Sequence, residues 1–229
     1  MYALATVDLS YLFVLLGTGM ILGLKHAFDA DHIAAVSTIV TRTDSLPRSL
    51  RYGAVWGSGH TATLLVVGLV VLLFKVTIPD PVAAAFEGIV GLMLIVLGVN
   101  VFWSVLATNG DASVEERGQS HGHDHEGVWT AWRSMDWRSF AVGAVHGLAG
   151  SAALMLLVLS TVTSVLAGVV YILVFGVGSI LGMLFFSGVL ALPLFLSGDN
   201  ARVQQGIEML AGLASFLLGV LIVYEYLMH

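Results

Sequence analysis

Two histidines and two aspartates lie within one short stretch of the chain, at His26, Asp29, Asp31 and His32. The stretch belongs to an apolar region that runs from about residue 9 to residue 40. Charged groups inside a bilayer are costly unless they are paired, hydrated or bound to a cation. Imidazole nitrogens and carboxylate oxygens together suit a borderline divalent ion such as nickel, cobalt or zinc. The pattern therefore predicts an intramembrane site for a transition-metal ion, and a self-satisfied polar cluster is the alternative.

Two more histidines extend the candidate site from other apolar segments. His60 lies about eight residues into the second segment and His146 about eight residues into the fourth. At 1.5 Å per residue, both are expected near the depth of His32. A single intramembrane histidine can also serve only as a hydrogen-bond donor between helices, and Asp31 can orient a histidine instead of binding the metal. The candidate metal ligands are His26, Asp29, Asp31, His32, His60 and His146.

The composition is that of a helical membrane protein. The 229 residues are 58% hydrophobic and 10% charged, whereas soluble domains carry about 25% charged residues. Apolar runs of about 20 residues favour helical spans over a barrel. Cysteine is absent, which excludes disulfides, thiolate metal ligands and thiol redox chemistry. The net charge of −6 gives no reason to expect a nucleic-acid partner, and the first ten residues lack the basic start of a cleavable signal peptide.

Six apolar segments predict an all-α polytopic protein with about six transmembrane helices. They cover about 10–40, 52–75, 83–106, 138–163, 167–196 and 203–227. A span needs about 20 residues, so the first segment is too long for one straight helix. It must tilt, kink or break, either at Gly17, Gly19 and Gly23 or at the polar cluster.

The basic residues predict the orientation in the cytoplasmic membrane. With six spans, one side carries only Lys75, and the other side carries seven arginines: Arg42, Arg48, Arg51, Arg117, Arg133, Arg138 and Arg202. The arginine-rich side is expected to be cytoplasmic, with both termini outside. The connection 107–137 then becomes a cytoplasmic loop containing three histidines between residues 121 and 125. That loop is either a metal-collecting segment or a solvated linker.

The chain also has the pattern of an internal duplication. Three sets of residues recur at an offset of about 120: Lys25-His26 with Val145-His146, Gly57 and Gly59 with Gly176 and Gly178, and Glu87, Gly91 and Gly98 with Glu208, Gly212 and Gly219. A constant offset indicates a repeat, although chance spacing in a glycine-rich protein is the alternative. The predicted organisation is a first three-helix repeat over 1–106, the loop 107–137, and a second three-helix repeat over 138–229. Because three spans is an odd number, the repeats must be inverted, as in many secondary transporters.

Residues 26–33, which read HAFDADHI, resemble the signature of the nickel/cobalt transporter family: a histidine, four residues, then aspartate and histidine. Residues 59–63 resemble the next motif of that family. The resemblance implies a multi-span permease for Ni²⁺ or Co²⁺ in which the signature residues are essential. The best-known members have eight spans, an extra helix before the signature and an acidic motif that residues 146–151 lack. The chain is more similar to a shorter branch, some of whose members are linked to urease or hydrogenase maturation.

The predicted function is a secondary permease without enzymatic activity or a resident cofactor. Its expected partners are the transported Ni²⁺ or Co²⁺, the lipid bilayer and a metallochaperone on the cytoplasmic side. Protons compete with the metal for imidazole and carboxylate groups and can drive its release. Export through the same site is one alternative. An intramembrane zinc hydrolase is another, disfavoured here because Asp29 and Asp31, as direct ligands, would close the open coordination position that catalysis needs.

Overall fold

The computed structural model describes residues 9–41, 43, 45–110, 136–151, 154, 158, 162, 164–196 and 200–228. Within these residues there are seven α-helices and no strands. They are α1 (Leu9–His26), α2 (Ala30–Val40), α3 (Leu46–Phe74), α4 (Asp80–Gly110), α5 (136–151), α6 (Val165–Leu196) and α7 (Ala201–Met228). The predicted all-α class is confirmed.

Several of these helices are long and apolar enough to cross a bilayer. Helices α3, α4, α6 and α7 each qualify by length and composition, and α1 with α2 forms a bent pair that counts as a fifth candidate. The chain is therefore a polytopic membrane protein. The fourth apolar segment, 138–163, begins in α5 and continues past its described end. The histidines of the predicted loop, between residues 121 and 125, lie outside the described residues.

The first apolar segment breaks at the polar cluster, which is one of the outcomes that its excess length predicted. Helix α1 ends at His26, α2 begins at Ala30, and the two are bent by 60°. Asp29 takes an extended conformation at the start of α2, with φ −63° and ψ 144°. The glycines at 17, 19 and 23 stay within α1. The break therefore falls beside the candidate ligands.

Glycines allow the helices around the break to approach one another closely. Helix α1 packs on α6, α3 on α6, and α4 on α7. A Cβ added at Gly23 of α1 would lie 2.0 Å from the carbonyl oxygen of Phe175 in α6. A Cβ added at Gly143 of α5 would lie 2.0 Å from the carbonyl oxygen of Trp56 in α3. Backbone contact of this kind leaves no room for a side chain.

The contact between α4 and α7 uses glycines from both helices. A Cβ at Gly98 would lie 2.6 Å from the Gly212 carbonyl oxygen, and a Cβ at Gly219 would lie 2.6 Å from the Gly91 carbonyl oxygen. The internal sequence match pairs Gly91 with Gly212 and Gly98 with Gly219. Replacing each glycine of one contact by its repeat counterpart therefore gives the other contact. The helices run antiparallel, because the higher-numbered glycine of α4 faces the lower-numbered glycine of α7.

We expect Gly143→Ala to destabilise the protein by about 1–3 kcal/mol, because the new methyl group would force α5 away from α3. The matched control is Gly17→Ala, where an added Cβ would meet no described atom within 4 Å. The control should be neutral or slightly stabilising, because alanine favours helix over glycine by about 1 kcal/mol. Thermal unfolding of the detergent-solubilised variants measures the difference. Equal melting temperatures for the two variants would contradict the close contact.

Candidate metal centre

Four histidine rings from four helices meet at the break between α1 and α2. The ring centroid of His32 lies 4.4 Å from that of His26, 5.1 Å from that of His60 and 4.1 Å from that of His146. The side chains of His32, His60 and His146 are fully buried. The structure thus brings together all four intramembrane histidines that the sequence singled out.

The bend brings the two signature histidines onto the same side. On a straight helix, residues six positions apart point about 120° away from each other around the axis. His26 is the last residue of α1 and His32 lies in the first turn of α2. The 60° bend between those helices lets the two rings contact each other edge to face. The length of the first apolar segment was the sequence signal for this arrangement.

His26, His32 and His60 form a three-histidine group. One ring nitrogen from each lies within 4.8 Å of the other two. The Nε2 atoms of His26 and His32 and both ring nitrogens of His60 are buried and have no hydrogen-bond partner among the described residues. A buried polar atom without a partner costs about 1–3 kcal/mol. Converging unpaired imidazole nitrogens fit a borderline transition-metal cation.

Asp29 and Asp31 each hydrogen-bond the Nδ1 atom of one of these rings, away from its unpaired Nε2. The Oδ2 of Asp29 lies 2.8 Å from Nδ1 of His26, and the Oδ1 of Asp31 lies 3.0 Å from Nδ1 of His32. An ionised carboxylate can only accept a hydrogen bond, so each Nδ1 donates and each Nε2 keeps its lone pair. This is the carboxylate–histidine arrangement that orients ligands in metal sites. In this geometry Asp29, which is half exposed, supports His26 and does not join the three-histidine group.

Asp31 also links α2 to α5 and thereby defines a second group, made of Asp31, His32 and His146. Its Oδ2 lies 2.9 Å from Nε2 of His146. Its Oδ1 accepts a hydrogen bond from the backbone N–H of His32 at 2.9 Å as well as from the ring. One ligand atom from each member of the second group lies within 4.8 Å of the other two. The Nδ1 of His146 is buried and has no partner among the described residues.

A cleft of about 390 Å³ reaches the three-histidine group, with Lys25, His26 and Asp29 in its wall. Gly150 of α5 also lines the cleft, and a Cβ at this position would lie 3.0 Å from Nε2 of His26 and 3.8 Å from Cε1 of His60. The absence of a side chain at residue 150 therefore leaves room beside the unpaired nitrogens. Nothing in the sequence distinguished Gly150 from the other glycines of the chain.

Two aromatic residues that the sequence left unassigned pack against the histidines. Trp56 is fully buried, with its ring centroid 5.6 Å from that of His32 and 5.5 Å from that of His146. Phe175 lies 5.4 Å from His26 and lines the cleft. The two aromatics are 119 residues apart, which matches the repeat offset and is the signal that could have identified them.

The sequence matches the family described as the cytochrome c biogenesis protein transmembrane region over residues 19–221. It is 36% identical over 211 residues to the urease accessory protein UreH of Bacillus sp. (strain TB-90), covering 92% of this chain and 91% of that protein. No solved structure matches the chain significantly.

Two plant proteins are more distant relatives. Chloroplast protein FOR GROWTH AND FERTILITY 2 of Arabidopsis thaliana is 30% identical over 170 residues, and chloroplast protein FOR GROWTH AND FERTILITY 1 is 28% identical over 176 residues. Each match covers 72% of this chain but only 44% and 46% of the respective plant protein. The extent of the family match and the near full-length similarity to UreH lead to one conclusion: the chain belongs to the cytochrome c biogenesis protein transmembrane region family, in which it is a relative of a urease accessory protein.

Proposed function

We propose that this protein is a secondary permease that carries Ni²⁺ or Co²⁺ across the cytoplasmic membrane through the three-histidine group. One observation carries the proposal: the rings of His26, His32 and His60 meet beside an open cleft, and each has a buried nitrogen without a hydrogen-bond partner among the described residues. A cation would supply the missing partner to one nitrogen of each ring at once. Because a cargo ion has to leave again, the same nitrogens must also be able to release it.

The choice of metal rests on the ligand chemistry and on similarity. Neutral imidazoles favour nickel, cobalt, copper and zinc over magnesium and calcium. The resemblance of residues 26–33 to the nickel/cobalt transporter signature narrows the choice to Ni²⁺ or Co²⁺. Similarity to a urease accessory protein favours nickel, because urease is a nickel enzyme. A cytoplasmic metallochaperone would receive the ion.

The proposed architecture is six spans arranged as two inverted three-helix repeats, over residues 1–106 and 138–229. Two helix contacts support it, because replacing each residue of one contact by its counterpart in the other repeat gives the second contact. Gly23 lies against Phe175 as Gly143 lies against Trp56. Gly143 follows Gly23 by 120 residues, and Phe175 follows Trp56 by 119. Rocking of one repeat against the other would expose the site to each side in turn.

The membrane potential would drive uptake. A potential that is negative inside favours entry of a positive charge by about 2.3 kcal/mol per 100 mV, or about 4.6 kcal/mol for a divalent ion. This direction assumes that the arginine-rich side of the protein faces the cytoplasm. Export through the same site would need another driving force, such as proton exchange.

A zinc-dependent hydrolase is the second candidate function, and one observation favours it. Asp29 and Asp31 hydrogen-bond the Nδ1 atoms of the histidines, so a metal held by three imidazoles alone would keep an open position for water. The sequence argument against a hydrolase assumed that both aspartates were direct ligands. That argument does not apply when both aspartates instead hydrogen-bond the histidines. Zinc-dependent turnover of amide or ester substrates by the purified protein, without metal flux, would support the hydrolase.

The family name also raises a role in cytochrome c biogenesis. This chain contains no cysteine, so it cannot itself carry a thiol–disulfide step. A role in that process would have to use the histidine and aspartate groups. The histidine and aspartate chemistry therefore favours metal transport over a thiol–disulfide function.

The permease proposal predicts metal uptake by proteoliposomes with an imposed negative-inside potential, tested with Ni²⁺, Co²⁺, Zn²⁺ and Mn²⁺. His32→Ala should reduce Ni²⁺ or Co²⁺ uptake at least tenfold, because it removes the ring that contacts the other three histidines. The control variant is Trp103→Ala, at a position that is 75% exposed on α4, and it should transport normally. Uptake by His32→Ala at the wild-type rate, with equal protein incorporated, would contradict the proposal.

Gly150→Ala should weaken metal binding about tenfold, equivalent to about 1.4 kcal/mol, because its methyl group would lie against Nε2 of His26. The control is Gly206→Ala in α7, where an added Cβ would meet no described atom within 4 Å. Isothermal titration of the detergent-purified proteins with Ni²⁺ compares the two. An unchanged Ni²⁺ affinity in Gly150→Ala would mean that the ion does not bind at the three-histidine group.

A further inference from the structure

We propose that the second group, Asp31, His32 and His146, is a separate resting position for the metal ion, which the ion reaches from the three-histidine group through their shared residue His32. This inference rests on the proposed function. It divides what the sequence treated as one ligand set into two positions used in order.

His32 is placed to serve both positions. Its Nδ1 lies 3.0 Å from Asp31 in the second group, whereas its buried Nε2 has no partner among the described residues. The two nitrogens of an imidazole point in different directions from the ring, so one histidine can face two sites. The His60 and His146 rings are 6.0 Å apart, and His32 lies closer to each of them than they lie to each other.

Helix α5 gives the order of the two positions along the path. Gly150 borders the cleft beside His26, and His146 lies one turn earlier in the helix, about 6 Å along the axis. One turn earlier again, Val142 lines a second cavity of about 100 Å³, whose wall also includes Thr38 and Ser139. The sequence of features along α5 is therefore the cleft, the three-histidine group, the second group and the second cavity.

Each of the two groups has one partly exposed side chain and two buried ones, and in the second group the Asp31 side chain is 26% exposed. The His26 side chain is 18% exposed and borders the cleft. The side chains of His32 and His146 are each about 1% exposed. Trp56 packs against both of these buried rings. An ion would thus enter from the cleft at His26 and then lie beside the two buried rings against which Trp56 packs.

The second group differs from the three-histidine group in carrying a negative charge. Asp31 contributes an anionic oxygen, whereas the three-histidine group offers only neutral nitrogens. A negative charge attracts a divalent cation more strongly in a dry, low-dielectric environment than in water. The transfer balances in protons if the proton on Nδ1 of His32 moves to the Nε2 that the ion vacates, and if the proton that Nε2 of His146 donates to Asp31 moves to the unpartnered Nδ1 of the same ring.

Paired histidine variants of the full-length protein test this inference. His146→Ala should bind Co²⁺ within about threefold of wild type, because the three-histidine group is intact, yet its transport should fall at least tenfold. His60→Ala should bind Co²⁺ at least tenfold more weakly. X-ray absorption of the cobalt bound to His60→Ala should reveal mixed nitrogen and oxygen ligands. His146→Gln, which keeps a hydrogen-bond donor for Asp31, repeats the test with a smaller structural change.

Equal loss of Co²⁺ affinity in His146→Ala and His60→Ala would overturn the inference in favour of one four-histidine centre. Wild-type transport by both His146 variants would also overturn it, leaving His146 a packing role. If wild-type protein binds Co²⁺ but transports none, the permease proposal fails by itself. In that case the X-ray absorption spectrum of cobalt bound to His60→Ala still tests the second position, because nitrogen-only ligands would exclude it.

Discussion

Hydrogen bonds that the imidazoles of His26 and His32 donate to carboxylates are the interaction on which this structure depends. The core of a bilayer contains no water that could hydrogen-bond a polar atom without a protein partner. Asp29 and Asp31 fix the protonated nitrogens of His26 and His32 and leave the opposite nitrogens unpaired in the interior. The protein therefore presents nitrogen lone pairs without partners in an apolar environment. We propose that a dehydrated cation is the partner of these nitrogens.

The helix architecture follows from the need to bring those groups together. The break between α1 and α2 turns two signature histidines toward the same point, and it also places Asp31 where it reaches α5. Glycine contacts let α1 approach α6, and α5 approach α3, to backbone distance. A larger residue at Gly143 would separate α5 from α3, which both carry histidines, and one at Gly23 would move α1, which carries His26, away from α6. The small residues therefore act on the site through helix spacing.

Much of this organisation was predictable because its physical causes are visible in the sequence. Apolar length predicted the helices and the bend, and charge in an apolar segment identified the signature cluster. The depth of His60 and His146 suggested that both lie near His32. The role of Asp29 was not predictable, because it depends on where the break turns the chain. Gly150 lacked a signal because its importance lies in the empty space it leaves beside His26.

Anomalous scattering from crystals of the protein soaked in Co²⁺ tests the central claim most directly. The account predicts a cobalt peak bounded by the rings of His26, His32 and His60, with Asp29 on the far side of the His26 ring. A difference map without cobalt among these rings, and with the ion bound only at the histidines between residues 121 and 125 or at the protein surface, would contradict it.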